Sequence, residues 1–495
     1  MKNEALLDTA SFNEGPAYVS RMADATARLA GARYKGLALD SVLFYAVSHA
    51  ITDDVGEKRK WPAHLALAVK GFLGDMRRNR ILPDVASGPT LRLLEAFGGG
   101  TDQQLWVFTD RSRATVDAQL RRVIGDAPHA ELETGEPRFV PARRLAGRIL
   151  TYMRLFIRCA QPFRTNTFSR NHVLARTALW AGDLADQARA LIRQSRPSGL
   201  FIYRDTTGEG NVLVQVAKEQ GIPTYSTQHA IFPETQSAHD RVGPDLVFHN
   251  TSAAAYVCWG EFSRRQMASL SGPRVGSRRL LVHSRPTSVS EQQPVVDRDS
   301  MEAIRISEVL VSLMGLRQEE ENAAILRVAM QLAHRRSLSV SVRPHPSLDR
   351  AKYARFVEQL GAQYPAEVQI ADSRTDIHPT YTTSSLGLTG MTSMYYENLF
   401  FGIPVVFFEH NRDVWKPLPR VIPGVRDLEA LNAQVDRIEA MTWQAWYALA
   451  DPICELMYNR RCGDFTARES MIDLVRADIL GPQPAVAAAA RTGTR

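Results

Sequence analysis

The stretch SVRPHPSL, residues 341–348, sets Arg343 and His345 beside prolines at the end of an alternating apolar run. A proline donates no hydrogen bond to a sheet ladder and biases the residue before it toward extended backbone. A strand there stops near Arg343, and the imidazole stands on a stiff corner. A histidine so held can hydrogen-bond a phosphate oxygen or protonate a leaving phosphate near neutral pH. The plainer reading is a turn in which it caps a backbone carbonyl.

A second cluster lies in LTGMTSMYYENLFFGIPVVFF, residues 388–408. Gly390 ends a strand, Thr392 and Ser393 fall where an N-cap and first helical turn belong, and Glu397 follows Ser393 by four residues on the same helix face. Hydroxyls and N–H groups at a helix start suit an anion, and the carboxylate suits a ribose diol. A plain N-cap with a solvated glutamate fits the same residues.

The third and fourth clusters, RDTTGEGN (204–211) and STQHAIFPET (226–235), each follow a short apolar run. Asp205 and Glu209 in the first, and His229 next to Gln228 in the second, are candidate catalytic groups for taking a proton from a hydroxyl. Their plain readings are a polar turn with an N-cap and a satisfied histidine.

The elements that must hold these residues are legible as alternating strand and helix patterns. From QLWVFTD (104–110) onward, apolar runs alternate with helical stretches, with long helices expected over 141–160 and 171–195. GLFIYRD (199–205), NVLVQVAKEQ (211–220) and GIPTYSTQHA (221–230) read as one βαβ unit, and AYVCWG (255–260) as a further strand before a short basic helix. EVLVSLMG (308–315), SLSVSVRP (337–344), AEVQIAD (366–372), SLGLTG (385–390) and IPVVFFE (403–409) are strand candidates of a second parallel sheet covered on both faces. The stretch 271–300, rich in Ser, Pro, Arg and Gly, reads as a linker.

The expected architecture is therefore α/β, with two Rossmann-like domains. Residues 1–100 form a helical N-terminal extension, 101–270 a first α/β domain, 301–480 a second, and 481–495 a disordered tail. LALDSVLFYAVSHAI (37–51) reads as a buried helix within the extension.

Composition narrows the function classes. The 495 residues are 44% hydrophobic and 23% charged, with 60 basic and 53 acidic side chains and a net charge of +7. Arginines are spread along the chain rather than gathered in a block, which suits an anionic ligand or a membrane surface. No helix-turn-helix, zinc-finger spacing or ribonucleoprotein motif points to nucleic acid. The four cysteines lack CxxC spacing and read as reduced, mostly buried thiols rather than metal ligands; no metal site and no cofactor is expected. No stretch is apolar for the roughly 18–20 residues a membrane span needs, so the chain is expected in the cytoplasm with at most a peripheral membrane contact.

RPHP (343–346) followed by TGMTSMYYENLFFGIPVV (389–406), with AKEQGIPTYSTQHA (217–230) earlier, resembles the two-domain GT-B glycosyltransferases of bacterial surface polysaccharides. The capsule, sialyltransferase-like and glycerophosphotransferase-like branches are the nearest in pattern. The resemblance spans residues 195–415 and implies metal-independent sugar transfer from a nucleotide-activated donor, a CMP-sugar or another nucleotide sugar, to a glycan or glycolipid acceptor. It implies that His345, Thr392 and Ser393 contact the donor phosphate, with Arg343 beside them, that Glu397 takes the ribose, and that Asp205 or Glu209 is the acceptor base. Where sialyltransferase-like enzymes carry adjacent acidic residues before a glycine, this chain reads DTTGEG. A nucleotide-sugar 2-epimerase and a non-catalytic capsule-assembly scaffold docked on an export complex are the alternatives of the same architecture.

Overall fold

The computed structural model describes residues 29, 31–43, 66–67, 70, 93–98, 101–108, 129–132, 142–160, 168–203, 205–206, 208–228, 251–269, 278–283, 296–315, 318–345, 348–372, 381–382, 385–409, 418–465 and 471–480. A two-stranded hairpin, β1 (Arg33–Tyr34) with β2 (Leu37–Ala38), turns through Lys35 and Gly36 at positive φ and leads into one helical turn, α1 (Leu39–Val42). Leu37 and Val42 are fully buried in the core of the first sheet. The helix expected over 37–51 thus begins as a strand and one turn, and its continuation beyond Leu43 lies outside the described residues.

The first sheet contains β3 (Leu93–Gly98), β4 (Thr101–Phe108), β5 (His129–Leu132), β6 (Gly199–Ile202), β7 (Thr224–Thr227), β8 (Ala255–Cys258) and β9 (Arg279–Val282) in the order β5-β3-β4-β6-β7-β8-β9. From β4 to β9 every neighbour is parallel, while β3 and β5 add an antiparallel edge. Two expected boundaries shift as a result. Strand β3, Leu93–Gly98, lies before residue 100 and pairs with β4, so the sheet starts inside the predicted extension. The predicted linker 271–300 contains β9, whose RLLV pairs with β8.

Helices α2 (Ala142–Ala160) and α3 (Phe168–Ser195) follow the predicted spans. Helix α3 packs on α4 (Gly208–Glu219), which carries the chain from β6 to β7 and buries Val212, Leu213, Val214, Val216 and Ala217. Helix α5 (Glu261–Ser269) joins β8 to β9.

The second sheet is fully parallel, in the order β12-β11-β10-β13-β14, from β10 (Glu308–Ser312), β11 (Ser339–Arg343), β12 (Val368–Ile370), β13 (Ser385–Thr389) and β14 (Val405–Phe407). Helices α6 (Glu319–Arg336), α7 (Arg350–Gln363), α8 (Met394–Phe400), α9 (Leu428–Glu439) and α10 (Trp443–Tyr458) cover it, with the buried Trp446 ring among the largest side chains in the core. A parallel sheet covered on both faces demands apolar runs rather than alternation, and Leu386 and Leu388, Val405 and Val406 meet that demand. The protein is therefore α/β with two Rossmann-like units.

The last described helix, α11 (Met471–Leu480), leaves the second unit. Its Met471, Ile472 and Val475 pack on Phe201, Tyr225, Ala255 and Val257 of the first sheet. Tyr225 Oη donates to Asp478 at 2.6 Å, and Arg279 pairs with Asp478 at 2.6 Å. The predicted second domain, 301–480, thus ends in a helix that belongs to the first core. The predicted tail 481–495 lies outside the described residues.

The four cysteines are free and buried, and the Cys454 and Cys462 sulfurs stand 2.7 Å apart. Among the described residues, no helix is long and apolar enough to cross a membrane.

Candidate functional site

Strand β10 is the pivot of the second sheet. The chain runs outward from β10 to β11 and β12, then returns to place β13 on the other flank of β10. Such a reversal opens a crevice at the carboxyl ends of the strands, where open α/β sheets take ligands. Register fixes what lines it: Ser312 pairs with Arg343 on one side and with Thr389 on the other. Arg343, Ser312 and Thr389 therefore form one row at the carboxyl edge.

His345 stands two residues past Arg343, exposed, after a buried Pro344. Its carbonyl oxygen accepts the Leu348 N–H at 2.9 Å, which closes the corner. The residue is solvent-accessible as a whole, yet desolvation by the surrounding protein lowers its pKa from the ordinary imidazole value. The neutral ring is thus the prevailing form at pH 7.

At the end of β13 the chain turns into α8. The Thr392 hydroxyl accepts the Met394 N–H at 3.4 Å, whereas Ser393, expected near the cap, has helical backbone angles and makes no side-chain cap bond. Its hydroxyl donates instead to Glu397 Oε1 at 3.1 Å. Glu397 is 8% exposed, so it is a buried carboxylate rather than a solvated one. The amides of Thr392 and Met394 are committed to the Gly390 carbonyl and the Thr392 hydroxyl. An anion at this corner would consequently rely on side chains more than on the open amide cradle expected from the sequence. The Thr389 hydroxyl, fully buried, has no hydrogen-bond partner among the described residues.

Glu321 joins this group and was not singled out by the sequence. It lies in the first turn of α6, after Glu319 and Glu320, where three consecutive glutamates read as a solvated helix start. In the fold it is 7% exposed and accepts the Met391 N–H. Burial pushes its carboxyl up to about 7. A side chain on Gly390 would put its Cβ 2.6 Å from Glu321 Oε1, so the Glu321 carboxyl would have to move to admit one. The next residue, Asn322, donates to the Met314 carbonyl at 3.0 Å and accepts the Met314 N–H at 2.8 Å, pinning the turn after β10 to α6.

The first sheet presents its own residues beyond β6 and β7. Asp205 is 1% exposed and accepts from Ser226 Oγ at 2.9 Å, the Ser252 N–H at 2.5 Å and the Ala253 N–H at 2.8 Å. Both of its oxygens are engaged, and the carboxylate ties the approach to β8 to the end of β6. Glu209, in the first turn of α4, is partly exposed. Gln228 is buried and accepts the Trp259 N–H at 2.9 Å. His229 lies outside the described residues.

The two units meet where the end of β8 and helix α5 pack on α10. Trp259, which follows β8, packs edge-on against Tyr458 at 6.0 Å between ring centroids, and Tyr458 packs on Tyr396 and Phe400 of α8. Gly260 lets the chain pass directly against α10, since a Cβ there would stand 2.5 Å from the Leu456 carbonyl oxygen. Among the described residues, no group of three His, Cys, Asp or Glu is close enough to hold a metal ion.

No family model and no curated protein matches the chain. Solved structures do resemble it. The Staphylococcus aureus MnaA–UDP co-structure is 12% identical over 61% of this chain and 81% of that one, with a TM-score of 0.41. The Neisseria meningitidis UDP-GlcNAc 2-epimerase bound to UDP-GlcNAc is 11% identical over 69% of this chain and 90% of that one, also at 0.41. Acinetobacter baumannii MurG is 12% identical over 61% and 78%, at 0.35.

Proposed function

We propose that the chain is a glycosyltransferase that moves a sugar from a nucleotide-activated donor to a glycan or glycolipid acceptor without a metal ion. The observation that carries this reading is the single row of Arg343, Ser312 and Thr389 at the reversal point of the second sheet, with His345, Thr392, Ser393 and Glu397 on the two adjoining corners.

Departure of a nucleotide builds negative charge on its phosphate. Arg343 and His345 offset that charge by electrostatics and hydrogen bonding, Arg343 as a permanent cation and His345 as a neutral N–H donor. Thr392 contributes its hydroxyl to the phosphate. Ser393 holds Oε1 of Glu397, which orients the carboxylate toward the two ribose hydroxyls. Exclusion of water from the crevice strengthens each of these interactions and protects the donor from hydrolysis.

The acceptor lies toward the first sheet. Glu209 takes the proton of the attacking hydroxyl, its exposure giving the access that Asp205 lacks. Asp205 holds the segment around Ser252 and Ala253 in place. His229, two residues after β7 in the sequence, is a second candidate for proton transfer.

Incubation of each of a panel of nucleotide sugars with and without a short oligosaccharide acceptor tests the reading by chromatography. Nucleotide release that requires the acceptor supports transfer. Conversion of the nucleotide sugar to an isomer with no acceptor present would replace transfer by epimerisation. No turnover of any donor, with or without acceptor, would favour a scaffold.

A further inference from the structure

We propose that helix α2 docks on a lipid bilayer rich in anionic headgroups, through the face that carries Leu150, Arg154, Ile157 and Arg158. The spacing of these residues puts them on one side of the helix, and all four are exposed. The opposite side, with Tyr152, Leu155, Phe156 and Cys159, is fully packed.

Among the described elements, helix α2 packs on α3, and α3 in turn packs on α4. Tyr152 Oη bonds His172 Nδ1 at 2.5 Å and Arg148 pairs with Asp183 at 2.6 Å, so the helix is anchored from beneath. Leu150 is 49% and Ile157 36% exposed, and among the described residues the other large exposed hydrophobic side chains are Met301 and Leu449. Two of the four thus stand two turns apart on a single helix face.

Charge selects the occupant. The helix ARRLAGRILTYMRLFIRCA carries five arginines and no carboxylate. Arg148 is spent on Asp183, whereas no ion pair to Arg154 or Arg158 is found among the described residues. A second copy packed face to face would set arginine against arginine, which opposes self-association. Acidic headgroups satisfy the arginines while Leu150 and Ile157 enter the boundary between headgroups and acyl chains, as interfacial amphipathic helices do. With two aliphatic residues the attachment is shallow and reversible. This surface is separate from the donor crevice, so the proposal stands or falls apart from the proposed reaction.

Co-sedimentation of the full chain with vesicles of phosphatidylcholine, alone or with about 30 mol% phosphatidylglycerol, provides the test. The chain is expected to sediment with the anionic vesicles and to be released by high salt. The double variants Leu150→Ser/Ile157→Ser and Arg154→Gln/Arg158→Gln are each expected to lower the bound fraction about fivefold or more. Because these side chains face away from the packed side, the variants should keep the parent's melting temperature, which is measured alongside. Failure of the parent to bind anionic vesicles, or unchanged binding by both variants, would overturn the proposal. So would a doubled mass in vesicle-free solution that Leu150→Ser/Ile157→Ser abolishes, which would assign the face to a second copy.

Discussion

Ser393 Oγ donates to Glu397 Oε1 at 3.1 Å, one helical turn apart, and the carboxylate it holds is 8% exposed. A hydrogen bond to a buried charged group contributes about 1.5–3 kcal/mol, so Ser393→Ala should lower unfolding stability by an amount of that order. If Glu397 takes the ribose, the same variant should weaken nucleotide binding about tenfold, because the carboxylate loses its orientation. Urea unfolding and nucleotide titration of one preparation read both effects, and an unchanged unfolding midpoint would remove the bond from the account.

Glu321 has a folded-state pKa pushed up to about 7 against an ordinary value of 4.5. The folded state therefore holds the proton more tightly than the unfolded chain. This contribution to stability is fully present below pH 4.5 and is lost as pH rises through 7. Glu321→Gln, which mimics the protonated form, should be the more stable protein at pH 8 by roughly 3 kcal/mol and should flatten the decline between those values. A variant less stable than the parent at pH 8 would mean that the ionised carboxylate is the form the fold uses.

Asp205 receives three donors while buried. Asp205→Ala leaves the amides of Ser252 and Ala253 without an acceptor and should cost about 3–5 kcal/mol, enough to endanger folding. Asp205→Asn keeps the shape and one acceptor oxygen, and should retain the fold with reduced stability. A positioning role predicts that Asp205→Asn raises the acceptor KM more than it lowers kcat. Loss confined to kcat, with stability intact, would make Asp205 the base in place of Glu209.

His345 has its pKa lowered by desolvation. If the ring contacts the donor phosphate, protonation adds a positive charge facing it, so donor binding tightens on the acid side as His345 gains its proton, and that limb lies below the ordinary imidazole value of about 6.5. His345→Gln should remove the limb, and His345→Ala should lower kcat about 100-fold. A pH profile of the His345→Gln variant that superimposes on the parent's would take His345 out of the chemistry.

The parallel strands β4, β6 to β8 and β10 to β14 were legible because strands covered on both faces must be written as apolar runs, and SLGLT or GLFI offers no competing helical period, whereas the antiparallel β3 and β5 were not singled out. The corners after β11 and β13 were legible for a related reason: Pro344 stops one strand and Gly390 ends the other. What escaped the sequence depends on partners distant along the chain. RLLV is only four residues inside a polar stretch, and it is a strand because β8 offers an edge. Helix α11 looks like any helix of the second unit until Asp478 meets Tyr225 and Arg279, some 250 and 200 residues earlier. Glu321 is buried because Gly390, on another strand, ends against it. Asp205 was marked for its charge, but only the fold shows Ser252 and Ala253 closing around it.

The central claim is that the carboxyl edge of the second sheet binds the nucleotide. Calorimetric titration with CMP, CDP, UDP and GDP, on the parent and on Arg343→Ala and Ser393→Ala, tests it most directly. The account predicts that one nucleotide binds the parent and binds both variants about tenfold or more weakly. Binding of no nucleotide, or binding that both substitutions leave untouched, would contradict it.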